Sequence, residues 1–362
     1  MPDFFCDQVV MVTGACGSVG QELVGQLLGR LPAQVRLFDN NESGLFLMHQ
    51  QLSPRHPQVH AFLGDVRDAQ KVATVARGCD VILHCAAFKH VFFSEYNPFE
   101  AVQTNILGVK NVIEAAIRHN VKLVIFTSSD KAVNPTSVMG TSKLMGERLI
   151  TAANVVRANS AQRFSSVRFG NVLGSRGSVF EVFAQQIKAG GPVTVTDPNM
   201  TRFIMSLDRA ALLVLSSAGL ARGGEVMVTK MDAIRIPDLA RVMIDLLAPA
   251  YGHDPAAVEI SIIGAKPGEK IYEELVSQDE TGRGVELAEL YVVLPAFRAI
   301  YHEIDYQYPG AATGSPLTQP YNSAQTEPLT PEELRQFLLE HRLLPQEVLR
   351  RFPDLKVRSC AS

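Results

Sequence analysis

Short apolar runs alternate with longer amphipathic segments along the first half of the chain. The runs are rich in Val, Ile, Leu and Phe and are QVVMVTG, QVRLFD, VHAFLGD, VILHCAA and KLVIFTSS. Segments of helical composition, such as GQELVGQLLGRL and AQKVATVARG, lie between them. This alternation of buried strands and helices predicts an α/β fold built on a parallel, doubly wound sheet. SSVRFGNVLG and GEVMVTK supply one or two further strands.

The alternation loosens beyond residue 170, which predicts a second, smaller lobe of mixed α/β structure. The expected boundaries are 1–170 and about 205–228 for the sheet domain, about 171–204 and 229–290 for the smaller lobe, and 291–362 for a C-terminal arm with helices. Residues 303–331 are rich in Pro, Gly, Ser, Thr, Gln and Tyr and are expected to be extended. The arm continues into LTPEELRQFLLEH, where Thr330, Pro331 and Glu333 indicate a helix start.

Composition excludes several classes of protein. The net charge is −3 and no block is rich in Lys or Arg, so a nucleic-acid partner is not expected. The cysteines show neither a CxxC pair nor zinc spacing, which is typical of a reducing compartment and predicts no metal site. We find no signal peptide and no apolar run of about 18 residues, and therefore expect a soluble, cytoplasmic protein without a membrane span.

A glycine-rich turn follows the first predicted strand. MVTG runs into GACGSVGQELVGQLL, which places Gly14, Gly17 and Gly20 at the start of a helix whose N–H groups can bind a pyrophosphate. The second strand ends in Asp39, about 20 residues on, where a carboxylate accepts from a ribose 2′-OH and repels a 2′-phosphate. The pattern predicts a Rossmann domain that binds NAD rather than NADP; a helix cap is the alternative for Asp39. Asp65 is expected near the adenine, or is a simple loop residue.

A second polar stretch, TSSDKAVNPTSVMGTSKLMGERL, follows the strand KLVIFTSS. Asp130 and Lys131 come directly after this strand, at the sheet edge where doubly wound folds bind ligands. Met139 and Lys143 are four residues apart, on one face of the predicted helix. The alternatives are an exposed Asp-Lys ion pair in a loop, and a surface lysine paired with Glu147 at i,i+4.

Several motifs in a fixed order resemble those of one enzyme family. They are TGACGSVG, AAFKHV, NPFEAVQTNILG, SSDKAVNPTSVMGTSK, RFGNVLGSRGSV, GGPVTVTDPNMTRF and KPGEKIYEEL. Over about residues 8–285 the chain resembles the nucleotide-sugar 4,6-dehydratases of the extended short-chain dehydrogenase/reductase superfamily, specifically the UDP-N-acetylglucosamine 4,6-dehydratase branch. The resemblance covers the catalytic half of relatives that also carry an N-terminal membrane half.

The resemblance implies an NAD-dependent lyase that makes a 4-keto-6-deoxy sugar. Hydride leaves C4 for NAD+, water is eliminated across C5 and C6, and the hydride returns to C6. It implies that Asp130 protonates the departing 6-hydroxyl while Lys131 removes the C5 proton. Those roles require a raised pKa at Asp130 and a lowered pKa at Lys131, which burial can supply.

The resemblance also assigns the oxidation step. Lys143 is expected to hold the nicotinamide ribose and to favour deprotonation of the C4 hydroxyl through its charge. Ser129 is preferred over Ser128 as the hydrogen-bond partner of the C4 oxygen. Met139 stands where other members of the superfamily have a catalytic Tyr. Several members of the branch carry Met there, so activity is compatible with a side chain that cannot exchange a proton. The proton then passes through Ser129, a ribose hydroxyl or water.

The remaining contacts implied by the resemblance lie in loops after the strands. The further cofactor contacts are Ser18, Val19, Val66, Ala86, Ala87, Lys89 and Asn105. The substrate contacts are Lys89, Asn171, Arg202, Lys266 and Glu269. Lys266 replaces the Arg that relatives usually carry, and a lysine cannot make the bidentate phosphate contact of an arginine. The family implies a UDP-sugar substrate and a homo-oligomer, either a dimer or a hexamer.

Two other functions compete with the dehydratase. A nucleotide-sugar 4-epimerase shares the fold, NAD and Lys143, but it has no use for an acid–base pair at C5 and C6, so Asp130 and Lys131 argue against it. A catalytically silent module that senses NAD or a nucleotide sugar would explain Met139. The nucleotide, the sugar and the configuration at C5 stay open at this level.

Overall fold

The computed structural model describes residues 3–175, 177–265, 268–308 and 317–351. The chain forms two compact units. The larger comprises Met1–Phe169, Arg209–Lys230 and Leu275–Pro320, and the smaller comprises Gly170–Asp208, Met231–Glu274 and Tyr321–Ser362, each counted over its described residues.

Within these residues the strands are β1 (Val9–Thr13), β2 (Gln34–Asp39), β3 (Val59–Leu63), β4 (Val81–His84), β5 (Leu123–Ser129), β6 (Arg163–Phe169), β7 (Asn171–Val172), β8 (Val193–Val195), β9 (Thr201–Met205), β10 (Val226–Thr229), β11 (Asp232–Arg235), β12 (Ile260–Ile262), β13 (Glu274–Val276), β14 (Gly284–Glu286), β15 (Leu290–Val293) and β16 (Tyr321–Asn322). The α-helices are α1 (Ser18–Leu28), α2 (Glu42–Leu52), α3 (Ala69–Ala76), α4 (Val91–Tyr96), α5 (Pro98–Ala101), α6 (Gly108–Arg118), α7 (Val138–Val156), α8 (Val179–Lys188), α9 (Leu207–Leu220), α10 (Ile236–Leu247), α11 (Gln278–Thr281), α12 (Pro331–Glu340) and α13 (Gln346–Leu349).

A nine-stranded sheet forms the centre of the larger unit. Its strand order is β14-β15-β10-β6-β5-β4-β1-β2-β3. The strands from β10 to β3 pair in parallel, and β15 and β14 add an antiparallel edge. The chain order reverses between β1 and β4, and such a switch point opens a ligand crevice at the carboxyl ends of the strands. The predicted doubly wound α/β fold is confirmed.

The apolar runs are strands because both faces of the sheet are covered. Val124 and Phe126 of β5 belong to one buried cluster with Val109 and Val112 of α6. Every residue of β5 before Ser129 is buried, so the run shows no polar alternation. The continuous apolar pattern of this run therefore indicates a central strand of the sheet.

The smaller unit has mixed α/β structure and its own core. It contains a three-stranded sheet, β11-β9-β7, and the parallel pair β12-β8. Helices α8, α10 and α12 pack around them. Helix α12 begins where the sequence indicates, because the Thr330 hydroxyl accepts from the Glu333 N–H and the Glu333 carboxylate accepts from the Thr330 N–H.

The C-terminal region differs from the predicted separate arm. Residues 275–320 count with the larger unit, where β14 and β15 extend the sheet. Leu334 and Leu338 of α12 are fully buried in the core of the smaller unit. The physical reason is that apolar side chains in both segments complete a core, whereas in an extended arm these side chains would be exposed to water. None of the described helices is long and apolar enough to cross a membrane.

Candidate active site

The turn between β1 and α1 packs closely against neighbouring backbone. Gly14 has φ +67, and a Cβ there would lie 2.7 Å from the Ala86 backbone nitrogen. A Cβ on Gly20 would collide with the Gly14 carbonyl oxygen. Gly17 is the N-cap of α1 and has no side-chain cap. Ser18 and Val19, in the first turn, are half-buried. The exposed start of α1 is suited to an anion.

Asp39 closes this turn from the end of β2. Its Oδ2 accepts from the Cys16 N–H at 2.9 Å and its Oδ1 from the Asn41 N–H at 2.9 Å. The cap of α2 is Asn41, whose side chain accepts from the Gly44 N–H. Asp39 is therefore not the helix cap that the sequence left as an alternative. Its carboxylate fixes the glycine turn and is half-buried at the carboxyl end of β2.

Asp65, after β3, belongs to an ion pair. Its Oδ1 accepts from Arg67 Nε at 3.0 Å and its Oδ2 from a terminal nitrogen of Arg67 at 2.7 Å. Asn40 Nδ2 donates to the same Oδ2 at 3.2 Å. The hydrogen bond from Arg67 lowers the pKa of Asp65. Asp65 is thus joined to the residue that follows Asp39, and Val66 beside it is buried.

The loop after β4 is held by a buried amide. Asn105 Oδ1 accepts from the Phe88 N–H at 2.7 Å, and its Nδ2 donates to the Phe88 carbonyl and to Ser142 Oγ, both at 2.9 Å. Its carbonyl and amide groups therefore bind protein atoms and link this loop to α7. Other predicted contacts lie in the loop itself: Ala86 and Ala87 are half-buried and Lys89 is exposed.

Helix α7 buries both residues of the predicted pair. Met139 is 3% exposed. Lys143 Nζ donates to the Thr127 carbonyl at 2.9 Å and lies 4.7 Å from the ring centroid of Phe126. Burial lowers the pKa of Lys143 to about 8. Glu147, the surface partner considered from the sequence, instead binds Arg168, and Lys143 is a core residue.

Asp130 and Lys131 form a close ion pair in a short 3-10 turn. Lys131 Nζ donates to Asp130 Oδ1 at 3.2 Å and Oδ2 at 3.1 Å. Ser129 Oγ donates to the same Oδ1 at 2.5 Å. The Asp130 side chain is 1% exposed and that of Lys131 is 30% exposed. The carboxylate is thus buried, unlike that of an exposed loop pair.

The two candidate serines have different surroundings. Ser129 Oγ is bound to Asp130, whereas Ser128 Oγ is buried and has no hydrogen-bond partner among the described residues. Neighbours in a strand face opposite sides, so Ser128 shares the sheet face of Phe126, over which the Lys143 ammonium lies. Ser129 lies with the acid–base pair, and Ser128 lies nearer the side of Lys143.

A polar network in the smaller unit centres on Glu273. Arg202 Nε lies 3.3 Å from one Glu273 oxygen, and Asn171 Nδ2 donates to the other at 2.7 Å. Arg202 also donates to the Lys270 carbonyl at 2.8 Å. Glu269 accepts from Thr196 at 3.3 Å and lies 3.7 Å from Arg202. Lys266 lies outside the described residues.

Sequence reasoning assigned no role to Glu273, although it stands in the quoted KPGEKIYEEL motif. Its burial beside Arg202 could not be read from that motif, because the two side chains are 71 residues apart in the chain. The network holds the loop that contains Glu269.

Comparison with known proteins decides the family. The family of polysaccharide biosynthesis proteins matches residues 10–295. The chain belongs to this family. The resemblance that the motifs indicate is confirmed, because proteins named UDP-N-acetylglucosamine 4,6-dehydratase are among the relatives of this chain.

The relatives of this chain carry different names. An uncharacterized membrane protein of Methanocaldococcus jannaschii is 48% identical over 293 residues, 81% of this chain and 87% of that protein. A UDP-N-acetylglucosamine 4,6-dehydratase (inverting) of Campylobacter jejuni is 36% identical, over 82% of this chain and 86% of its own. A UDP-glucose 4-epimerase of Rickettsia canadensis is 34% identical, over 95% of this chain and 99% of its own.

Two further relatives are longer than this chain, and one solved structure superposes on most of it. This chain spans 46% of the length of two other relatives, a capsular polysaccharide biosynthesis protein of Staphylococcus aureus and a probable polysaccharide biosynthesis protein of Bacillus subtilis. The X-ray structure of Pen from Bacillus thuringiensis superposes with a TM-score of 0.86 at 39% identity, covering 94% of this chain and 100% of that one.

The close approach of α1 to the glycine turn yields a first prediction. Gly20→Ala should destabilise the fold by about 1–3 kcal/mol, because its Cβ meets backbone atoms that cannot yield easily. Gly25→Ala in the same helix is the matched control, since its Cβ meets nothing within 4 Å, and it should stabilise by about 0.5–1 kcal/mol. Urea denaturation measures both; equal stability of the two variants would contradict the packing described here.

The burial of Lys143 yields a second prediction. Its folded-state pKa of about 8 lies below the ordinary value of 10.5, so between these values the unfolded chain binds more protons and wild-type stability rises with pH. Lys143→Met should therefore stabilise the fold most below pH 8, and this gain should shrink as pH approaches 10.5. Lys110→Met, at an exposed lysine, is the control. A gain that stays constant across this range would show that Lys143 is not desolvated.

Proposed function

We propose that this protein is an NAD-dependent nucleotide-sugar 4,6-dehydratase that acts on UDP-N-acetylglucosamine. The observation that carries the proposal is the buried Asp130 carboxylate, directly after β5, with Lys131 and Ser129 bound to it. Oxidation at C4 alone has no use for such a pair, whereas elimination needs one acid and one base. A relative in Campylobacter jejuni is named for this reaction.

The residues around β1 fit a dinucleotide. A Cβ at Gly14 would fill the space beside Ala86, and the start of α1 has no side-chain cap. Each Asp39 oxygen accepts one backbone N–H and keeps a lone pair for a ribose hydroxyl, while the charge disfavours a 2′-phosphate. These features support NAD over NADP. When bound, NAD+ accepts the C4 hydride and returns it at C6.

Lys143 is suited to the oxidation step. Its ammonium uses one N–H on the Thr127 carbonyl and has two more to donate to a sugar or ribose hydroxyl. In a buried site this charge stabilises developing negative charge on the C4 oxygen. The Met139 thioether takes no proton, so the C4 proton leaves through Ser129, a ribose hydroxyl or water.

The elimination step requires one proton to move within the Asp130–Lys131 pair. Transfer from Lys131 Nζ to Asp130 Oδ2, 3.1 Å away, converts the ion pair into an amine and a carboxylic acid. The amine then takes the C5 proton and the acid protonates the departing 6-hydroxyl, which leaves as water. Lys131 ends as ammonium and Asp130 as carboxylate. When the hydride returns to C6, Lys131 gives a proton to C5 and is left as the amine. The proton released from the C4 hydroxyl then reprotonates Lys131, so each turnover restores the resting ion pair.

A second candidate is a nucleotide-sugar 4-epimerase, because relatives named UDP-glucose 4-epimerase cover 95% of this chain. Incubation with UDP-N-acetylglucosamine separates the two. A dehydratase gives a 4-ketosugar lighter by one water, and an epimerase gives an isomer of unchanged mass. No product with this sugar and with UDP-glucose would contradict both.

The pair yields a third prediction, measured in D2O by mass spectrometry and NMR. Lys131→Ala should abolish both deuterium incorporation at C5 and loss of water, because the base is gone. Asp130→Asn should still exchange C5, because Lys131 without its carboxylate can lose its proton to water. It should lose water from the sugar about 10²–10⁴-fold more slowly, because an amide cannot donate the proton. Lys230→Ala, which breaks an exposed ion pair with Glu286, is the control. Wild-type rates of exchange and water loss in both variants would show that Asp130 and Lys131 have only a structural role.

A further inference from the structure

A saturated ion cluster lies under α7, among residues that the proposed chemistry does not use. Arg168 of β6 is 1% exposed and binds Glu147 of α7 through two hydrogen bonds of 3.0 and 2.7 Å. It binds Glu280 of α11 through two more, of 2.9 and 3.2 Å. A fifth, of 2.7 Å, goes to the Leu275 carbonyl. All five N–H groups of the guanidinium therefore have partners.

This cluster is not explained by stability. Three buried charges carry a desolvation cost, and apolar side chains of similar volume often give equal or greater stability. What the cluster provides is geometry, because each carboxylate meets two N–H groups of a planar fork and is fixed in orientation. Glu280 is itself held in a capping box with Ser277. Helix α7 is thereby fixed both to β6 and to α11.

The cluster also lies beside the position of Lys143. Glu147 is one helical turn beyond Lys143 on α7. In the parallel register of β5 and β6, Arg168 pairs with Ser128, two residues after the Phe126 ring over which the ammonium lies. Two consecutive turns of α7 therefore carry the two groups: Glu147 binds the Arg168 guanidinium on β6, and Lys143 holds its ammonium over β5.

We propose that Arg168, with Glu147 and Glu280, positions Lys143 for the oxidation step, so that the segment from Leu275 to α11 is part of the catalytic apparatus. This inference rests on the proposed function, because it gives that site a supporting structure. Arg168 touches no reacting atom in this proposal; it acts only through α7.

The cluster has an electrostatic consequence as well. Arg283 lies 3.5 Å from a Glu280 oxygen, so two guanidiniums balance the two carboxylates, and Glu147 is the carboxylate one helical turn from Lys143. Burial lowers the pKa of Lys143, and the carboxylate of Glu147 and the thiol of Cys85 oppose that effect. Burial raises the pKa of Cys85 to about 12. Other ionisable groups lie on elements packed against α7 or beside the ammonium: His84, Glu95, Glu100, Lys110, Glu114, Arg118, Asp130, Lys131, Arg163, Arg283 and Arg298.

The first test needs no turnover. The titration of Lys143 is followed by 13Cε-lysine NMR of the full chain, with its signal assigned from its loss in Lys143→Met. Glu147→Gln should lower the midpoint by about one pH unit or more, and Glu280→Gln by less. Glu286→Gln, which removes an exposed carboxylate bound to Lys230, should leave it unchanged. An unchanged midpoint in Glu147→Gln would overturn the proposal.

The second test separates positioning from folding. Arg168→Met, Glu147→Leu and Glu280→Leu combined remove the three fully buried charges. Arg283 loses Glu280 but is partly exposed and still donates to the Leu294 carbonyl, so the variant should fold. Its kcat should fall about 10–100-fold with KM nearly constant. Arg168→Lys should also lower kcat, because an ammonium cannot make two forks. Wild-type kcat in the folded triple variant would overturn the proposal. If wild-type protein turns over no nucleotide sugar, the proposed function fails, and the NMR titration still decides this inference.

Discussion

The removal of the Lys143 ammonium from water is the constraint on which the rest of the site depends. A buried cation needs compensating partners, and Lys143 has a carbonyl at the end of β5 and the face of an aromatic ring. Both partners are available only if α7 lies close against β5. A Cβ on Gly146 would lie 2.8 Å from the Phe126 ring, and one on Gly140 would collide with the Lys131 carbonyl oxygen. The helix therefore approaches β5 through its glycines.

That close approach brings two kinds of chemistry to one strand end. In the proposed mechanism, α7 supplies a charge that favours oxidation at C4, and the turn after β5 supplies a proton donor and acceptor already in contact. The Met139 side chain is buried, and its thioether cannot take part in proton transfer. A site arranged in this way separates charge stabilisation from proton transfer, whereas a tyrosine at position 139 would combine them.

The sequence predicts the local parts of this arrangement well. The glycine turn, Asp39, the adjacent Asp130 and Lys131, and the spacing of Met139 and Lys143 all follow from short-range patterns, as does the parallel sheet. Contacts between distant segments were not predictable. Arg168 meets Glu147 and Glu280 across 21 and 112 residues of chain, and no periodicity links such positions.

The predicted C-terminal arm has the same origin. The sequence from 303 to 331 is polar, yet a few apolar residues in α12 and β15 are enough to place these segments in cores. The surface pairing of Lys143 with Glu147, the alternative to a functional Lys143, is sterically possible on an isolated helix, but the burial of both side chains gives each a different partner. Helix propensity and spacing contain no information about such tertiary partners.

The fate of the C4 hydrogen tests the central claim most directly. UDP-N-acetylglucosamine carrying deuterium at C4 is incubated with the purified protein in ordinary water, and the product is examined by NMR and mass spectrometry. The account predicts a 4-keto-6-deoxy sugar with the deuterium at C6, because the same hydride leaves C4 and returns to C6 of one sugar. Recovery of a C4 epimer that keeps its deuterium at C4 would contradict the account.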